Sequence, residues 1–177
     1  MKRTAAFAAL AAFACMAAAA LPSGLGKVRL GMDVDGVKSA LKGDGQFGYR
    51  GERDVSISPL DHEAVIETDP TTFAAFSFFE RCWFQFTGGS LSVMTFKLNP
   101  AKIDHYSIFS TLCSKYGQPD EISPKKSVWR DGSVVLSLEK PLTLKYADAK
   151  ALGDRRSASN VDKTTSERAR DEFLKGL

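Results

Sequence analysis

Phe79-Glu80-Arg81-Cys82-Trp83-Phe84-Gln85-Phe86, followed by Thr87-Gly88-Gly89-Ser90 and the run from Leu91 to Phe96, decides how this chain is read. Cys82, Phe84 and Phe86 alternate with Arg81, Trp83 and Gln85, the two-residue period of a strand with one buried face. A Gly-Gly pair between two such runs supplies the positive φ that a tight hairpin turn needs. Phe73 to Phe96 holds seven of the twelve phenylalanines, and within it the aromatic run Phe73 to Trp83 reads first as the core of a small sheet and second as a lipid or peptide groove. The rings on the opposite face, Trp83 beside Gln85, are where a partner would bind.

Working outward, Asn99 can cap a helix with Pro100 at its first position. Ile103, Tyr106, Phe109, Leu112, Cys113 and Tyr116 form its apolar stripe, and Gly117 with Pro119 stops it. Ser127-Val128-Trp129-Arg130 and the run Ser133 to Leu138 then flank Asp131-Gly132, a strong two-residue turn signal, and Leu142 to Tyr146 supplies a last strand. On the other side, residues 21–30 read as an extended lead-in. Asp33 caps a helix with Val34, Val37, Ala40 and Leu41 on one stripe, and Gly43 ends it. Phe47 to Tyr49, Val55 to Ile57 and Ala64 to Ile66 look like short strands. The expected fold class is therefore α+β, with two short helices packed on a mainly antiparallel sheet, arranged as two helix-plus-hairpin units, Asp33 to Leu98 and Asn99 to Tyr146.

The ends differ in kind from this middle. Of 21 alanines, 11 lie in the first 20 residues. Lys2 and Arg3 precede an uncharged apolar run ending in Ala18-Ala19-Ala20, the layout of a secretory signal. Residues 1–20 are expected to be a signal peptide, 21–147 an α+β envelope domain, and 148–177 a mobile polar tail. In that tail, Thr164 and Glu167 suggest a capping box for a short helix. Two processing routes compete. One cleaves after Ala20; the other lipidates Cys15, where Ala12-Phe13-Ala14-Cys15 resembles a lipobox that has lost its usual Leu and small residue. Either route places the protein in the periplasm or cell envelope, with a lipid anchor only in the second. Without residues 1–20 the 24 basic and 21 acidic groups become 22 and 21. A charge of +1 argues against a nucleic-acid binder that works through a global positive field.

No complete catalytic motif is present. Gly43-Asp44-Gly45-Gln46-Phe47-Gly48 has the letters of a dinucleotide fingerprint, but a helix precedes it and a strand follows, the reverse of what a pyrophosphate site needs. His62 and His105 sit beside carboxylates, yet no zinc-type spacing exists, so no metal and no cofactor is expected. Asp33-x-Asp35 reads as helix capping, without the spacing of a calcium loop. Cys82 and Cys113 both point inward, either as a helix-to-strand disulfide or as two packed thiols. The expected role is a non-catalytic module binding a protein or peptide, with Trp83, Gln85 and Trp129 as its binding residues. The alternative is a small periplasmic hydrolase with a dispersed site around His62 or His105.

Two stretches carry a resemblance. Leu30-Gly31-Met32-Asp33, with Val37 and Leu41 at four-residue steps, resembles the opening of BamE/SmpA-type outer-membrane lipoprotein domains. Leu112-Cys113-Ser114-Lys115-Tyr116-Gly117-Gln118-Pro119, with Trp129 and Leu136-Ser137-Leu138, is similar to a pattern in uncharacterised exported bacterial proteins. The BamE/SmpA resemblance implies a small α+β domain with helices against a three-stranded sheet. It also implies a scaffold role without catalysis, with envelope proteins or peptides, including outer-membrane assembly factors, as partners. A membrane surface joins them only if Cys15 is lipidated.

Overall fold

The computed structural model describes residues 19–58, 63–154 and 173–174. The lead-in is a two-stranded ribbon, β1 (Gly24–Leu25) with β2 (Val28–Arg29). Then follow α1 (Val34–Lys42), β3 (Val55–Ile57), β4 (Ala64–Thr68), the short α2 (Pro70–Phe73), β5 (Phe79–Thr87) and β6 (Ser90–Leu98). After them come α3 (His105–Tyr116), β7 (Glu121–Ile122), β8 (Lys126–Asp131), β9 (Val134–Glu139) and β10 (Thr143–Asp148), with residues 149–154 helical.

β3 to β10 form one eight-stranded antiparallel sheet in the order β3-β4-β5-β6-β10-β9-β8-β7. This corrects the expectation of two short helices on one sheet built from two helix-plus-hairpin units. A separate ribbon precedes the sheet, α2 and residues 149–154 are helical besides α1 and α3, and α1 and α3 each lead into a four-stranded meander. The two meanders join where their last strands meet, with Phe96 opposite Leu144 and Met94 opposite Tyr146. That seam pairs residues nearly fifty positions apart, so no local alternation could reveal it. The three-stranded sheet implied by the BamE/SmpA resemblance is likewise replaced by eight strands.

Local chemistry explains where the boundaries moved. Asn99 does not start α3: its side-chain oxygen accepts from the Ala101 N–H at 2.8 Å and closes a turn instead. The cap is Asp104, which accepts from the Ser107 N–H at 2.9 Å and from its hydroxyl at 2.6 Å. Phe47 lies in a single 3-10 turn, Gly45–Phe47, rather than in a strand. In the β8–β9 hairpin Asp131 pairs with Val134, so the turn residues are Gly132 and Ser133. The Gly31-Met32 stretch bonds to the start of β6, through Gly31 N–H to Leu91 O and Leu91 N–H to Met32 O.

The core lies between the helices and one face of the sheet. Val37 and Leu41 of α1 are buried in it, as is Leu112 of α3, with Ile108, Phe109, Cys113 and Tyr116 packed alongside. From β5 and β6 come Cys82, Phe84, Phe86, Met94 and Phe96, the alternation expected from the sequence.

The Ser107 hydroxyl, reinforced by the Ser107 N–H, holds the Asp104 carboxyl below the usual carboxylate range. A folded-state pKa below the unfolded one adds stability that is complete above the unfolded value near 3.9 and disappears as pH falls through the folded value. Asp104→Ala is therefore expected to melt at a lower temperature than wild type at pH 7. Thermal scans from pH 7 down through the carboxylate range check this: the gap between the two should shrink toward acid. A gap that stays constant into acid would remove Asp104 as the cap.

Candidate functional site

Both long helices pack on one face of the sheet, and neither covers the other face. Strand register arranges that second face in cross-strand rows. The central row runs Glu67, Trp83, Thr95, Lys145, Ser137, Val128 and Glu121 across seven strands. One row beyond it are Val65, Gln85, Val93, Ala147, Val135 and Arg130, and on the other side Arg81, Lys97, Thr143, Glu139 and Lys126. At about 4.8 Å between neighbouring strands, the central row spans about 29 Å.

The chemistry of this face is mixed. Trp83, Gln85, Thr95, Thr143 and Lys145 are half-buried. Val93, Ala147, Val128 and Ser137 are small and buried between longer neighbours. Five bases (Arg81, Lys97, Lys126, Arg130 and Lys145) stand with four acids (Glu67, Glu80, Glu121 and Glu139). Arg81 pairs with Glu67 at 3.1 Å, and Lys97 with Glu80 at 2.8 Å. Arg130 and Lys126 both pair with Glu121, at 3.0 and 3.5 Å. The Arg130 hydrogen bond first, and the Lys126 charge second, hold the Glu121 carboxyl below its ordinary value. All these pairs are substantially exposed, so they add little to stability and remain free to exchange partners.

The residues expected to form a site separate. Trp83 and Gln85 lie together on this face. Trp129 does not, and this corrects its reading as a binding residue. It is only 2% exposed, packs its ring against Phe109 with centroids 6.0 Å apart, and donates its indole N–H to Gly117 O at 2.9 Å. Its role is to fasten the end of α3 to β8. The geometry adds Thr95, Lys145 and Ser137 to Trp83. Lys145 between Leu144 and Tyr146 was a readable alternation, but its adjacency to Thr95 depends on the seam.

Cys15 and His62 lie outside the described residues. His105 is the first, half-buried residue of α3, and the neighbouring Asp104 carboxylate is committed to Ser107. Glu63, next to His62 in sequence, accepts from the Gly88 N–H at 2.7 Å at the β5–β6 hairpin tip. Cys82 and Cys113 are free thiols, so the helix-to-strand disulfide is replaced by its alternative, packed thiols. Burial pushes the Cys82 thiol up to about 12, where no thiolate nucleophile forms at neutral pH. Among the described residues, no three His, Cys, Asp or Glu side chains gather as metal ligands. Asp33 accepts from the Gly36 N–H at 2.8 Å, as a helix cap.

Comparison with known proteins places the chain without naming an activity. No curated protein and no solved structure matches it. The TP0088 domain matches residues 23–158, a span that contains the ribbon, the whole eight-stranded sheet, and α1 to α3. The chain belongs to the TP0088 domain family.

Proposed function

We propose that this protein is an exported, non-catalytic module of the cell envelope that binds a protein partner through the sheet face centred on Trp83. The observation that carries this reading is the central row itself. A half-buried tryptophan stands among threonine, lysine and exchangeable ion pairs, on the face opposite α1 and α3. Protein interfaces favour an aromatic anchor within a polar rim, and the half-buried Trp83 has that setting. Five bases against four acids leave this face close to balanced, which suits a partner surface of mixed charge. The signal-like residues 1–20 support export, and the assembly-scaffold role implied by the BamE/SmpA resemblance is one form of this binding.

The test is photo-crosslinking in intact cells from a reactive side chain placed at Thr95, with mass spectrometry of the product. An envelope protein is expected to crosslink from Thr95 and not from Gly132 at the β8–β9 turn. Trp83→Ala should then weaken binding of that protein about 30-fold or more, as loss of a hot-spot aromatic does, with little change in melting temperature. Equal crosslinking from both positions, or unchanged affinity in Trp83→Ala, would place the interface elsewhere.

A further inference from the structure

Among the described residues, the first side chain to pack on the core is Leu21. It is half-buried and packs against the core, whereas Ala19 and Ala20 before it are exposed. Its backbone nitrogen lies 2.9 Å from Asp131 Oδ2, at the base of the β8–β9 hairpin, 110 positions along the chain. The residues just before it read as a processing signal, Ala18-Ala19-Ala20. Among the described residues, core packing of side chains begins at the peptide bond where the signal ends, and a carboxylate faces the nitrogen of that bond.

From this coincidence we infer that Ala20–Leu21 is the processing site, and that Asp131 receives the α-ammonium of Leu21 in the mature protein. The inference rests on the export reading above and adds the identity of the mature end. In the precursor, Asp131 accepts a hydrogen bond from a neutral amide. The export machinery's endopeptidase adds water across the Ala20–Leu21 amide and breaks its C–N bond. The hydroxyl stays on the Ala20 carbonyl carbon, and Leu21 nitrogen takes the proton, then a second from solvent at neutral pH. The contact thereby becomes an ammonium–carboxylate pair, a charge-assisted bond stronger than the amide bond it replaces. Cleavage also removes the Ala19 N–H that bonds Lys115 O at 3.1 Å, and with it the alanines that help line a cleft of about 190 Å³ beside Tyr116, Gln118 and Trp129. Lipidation at Cys15 would instead leave Leu21 as an amide inside a longer chain, with no use for a paired carboxylate.

Expression of the full chain in an exporting bacterial host, followed by intact-mass measurement and N-terminal sequencing of the folded product, tests the site. A product beginning at Leu21 with a free amine is expected; a chain beginning at an acylated Cys15, or at any other residue, overturns the inference. The pairing has its own readout. At pH 7 and low salt, selective acylation of the α-amine should run about two- to threefold faster in Asp131→Asn than in wild type, because an exposed carboxylate keeps a neighbouring amine protonated. Asp131 is the strand residue paired with Val134, outside the Gly132-Ser133 turn, and asparagine keeps its size there, so the hairpin is undisturbed. Equal acylation rates overturn the role of Asp131. Neither measurement involves a partner, so either can fail while the binding face stands.

Discussion

Phe96→Ala should lower the free energy of unfolding by about 3–5 kcal/mol, the range for truncating a large ring in a packed core. Phe96 is fully buried and lies at the centre of an aromatic cluster. Its ring centroid is 5.3 Å from Phe79, 5.9 Å from Phe84, 6.0 Å from Phe47 and 6.2 Å from Tyr146. These four rings come from the loop after α1 and from both meanders, and none can move inward without leaving its own contacts. Phe96 also faces Leu144 across the seam, so the cavity would open where the two halves meet. Urea unfolding measures the effect, and Trp83→Phe provides a background in which fluorescence reports only the buried Trp129. Should Phe96→Ala be too unstable to purify, Phe96→Leu is expected to lose about 1–2 kcal/mol. A loss below about 1 kcal/mol in Phe96→Ala would mean that the ring cluster does not hold the halves together.

Gly48→Ala should cost about 3 kcal/mol, for two separable reasons. Gly48 has φ of 61°, which an L-residue adopts at a cost of about 1–2 kcal/mol. A Cβ there would also stand 2.7 Å from Pro70 Cα, 3.2 Å from Pro70 N and 3.3 Å from Asp69 O. All three are backbone atoms, so no side-chain rotation can relieve the clash, and the start of α2 must shift. Gly88→Ala is the control: its φ is 59°, but a Cβ there meets nothing within 4 Å. It should cost only the conformational part, about 1 kcal/mol. Equal melting temperatures for the two variants would show that the Gly48–Pro70 contact carries no weight.

These two sites also show what the sequence could and could not disclose. Phe84, Phe86 and Cys82 were legible as a buried face because alternation is a local property of one strand. Gly117, with φ of 81°, was legible as the end of α3 because a glycine after an apolar stripe has few other uses. The contact of Gly48 with Pro70 was not legible, since nothing in Gly43 to Gly48 says which segment passes nearby. Trp129 was misread for a related reason. In Ser127-Val128-Trp129-Arg130 polar and apolar residues do not alternate, because Val128 is buried on one face and Ser127 with Trp129 on the other. The face that carries Trp83 was half legible. Its tryptophan and glutamine followed from alternation in β5, while Thr95, Lys145 and Ser137 joined them only through pairing between distant strands. The contact of Leu21 N–H with Asp131 was not legible either, because Asp131 looked fully occupied as a turn residue.

The seam between β6 and β10 sets an order in time as well as in space. Until residues 143–148 are available, β6 has no neighbour on one side, and the larger part of the sheet lacks its middle. Contacts of such long sequence separation form late and slow the reaction, because the intervening loop must be closed before they return any stabilisation. The export proposed above would use this order: a chain threaded N-terminus first has to stay unfolded while it is threaded, and β10, the last strand to emerge, is the one that closes the sheet.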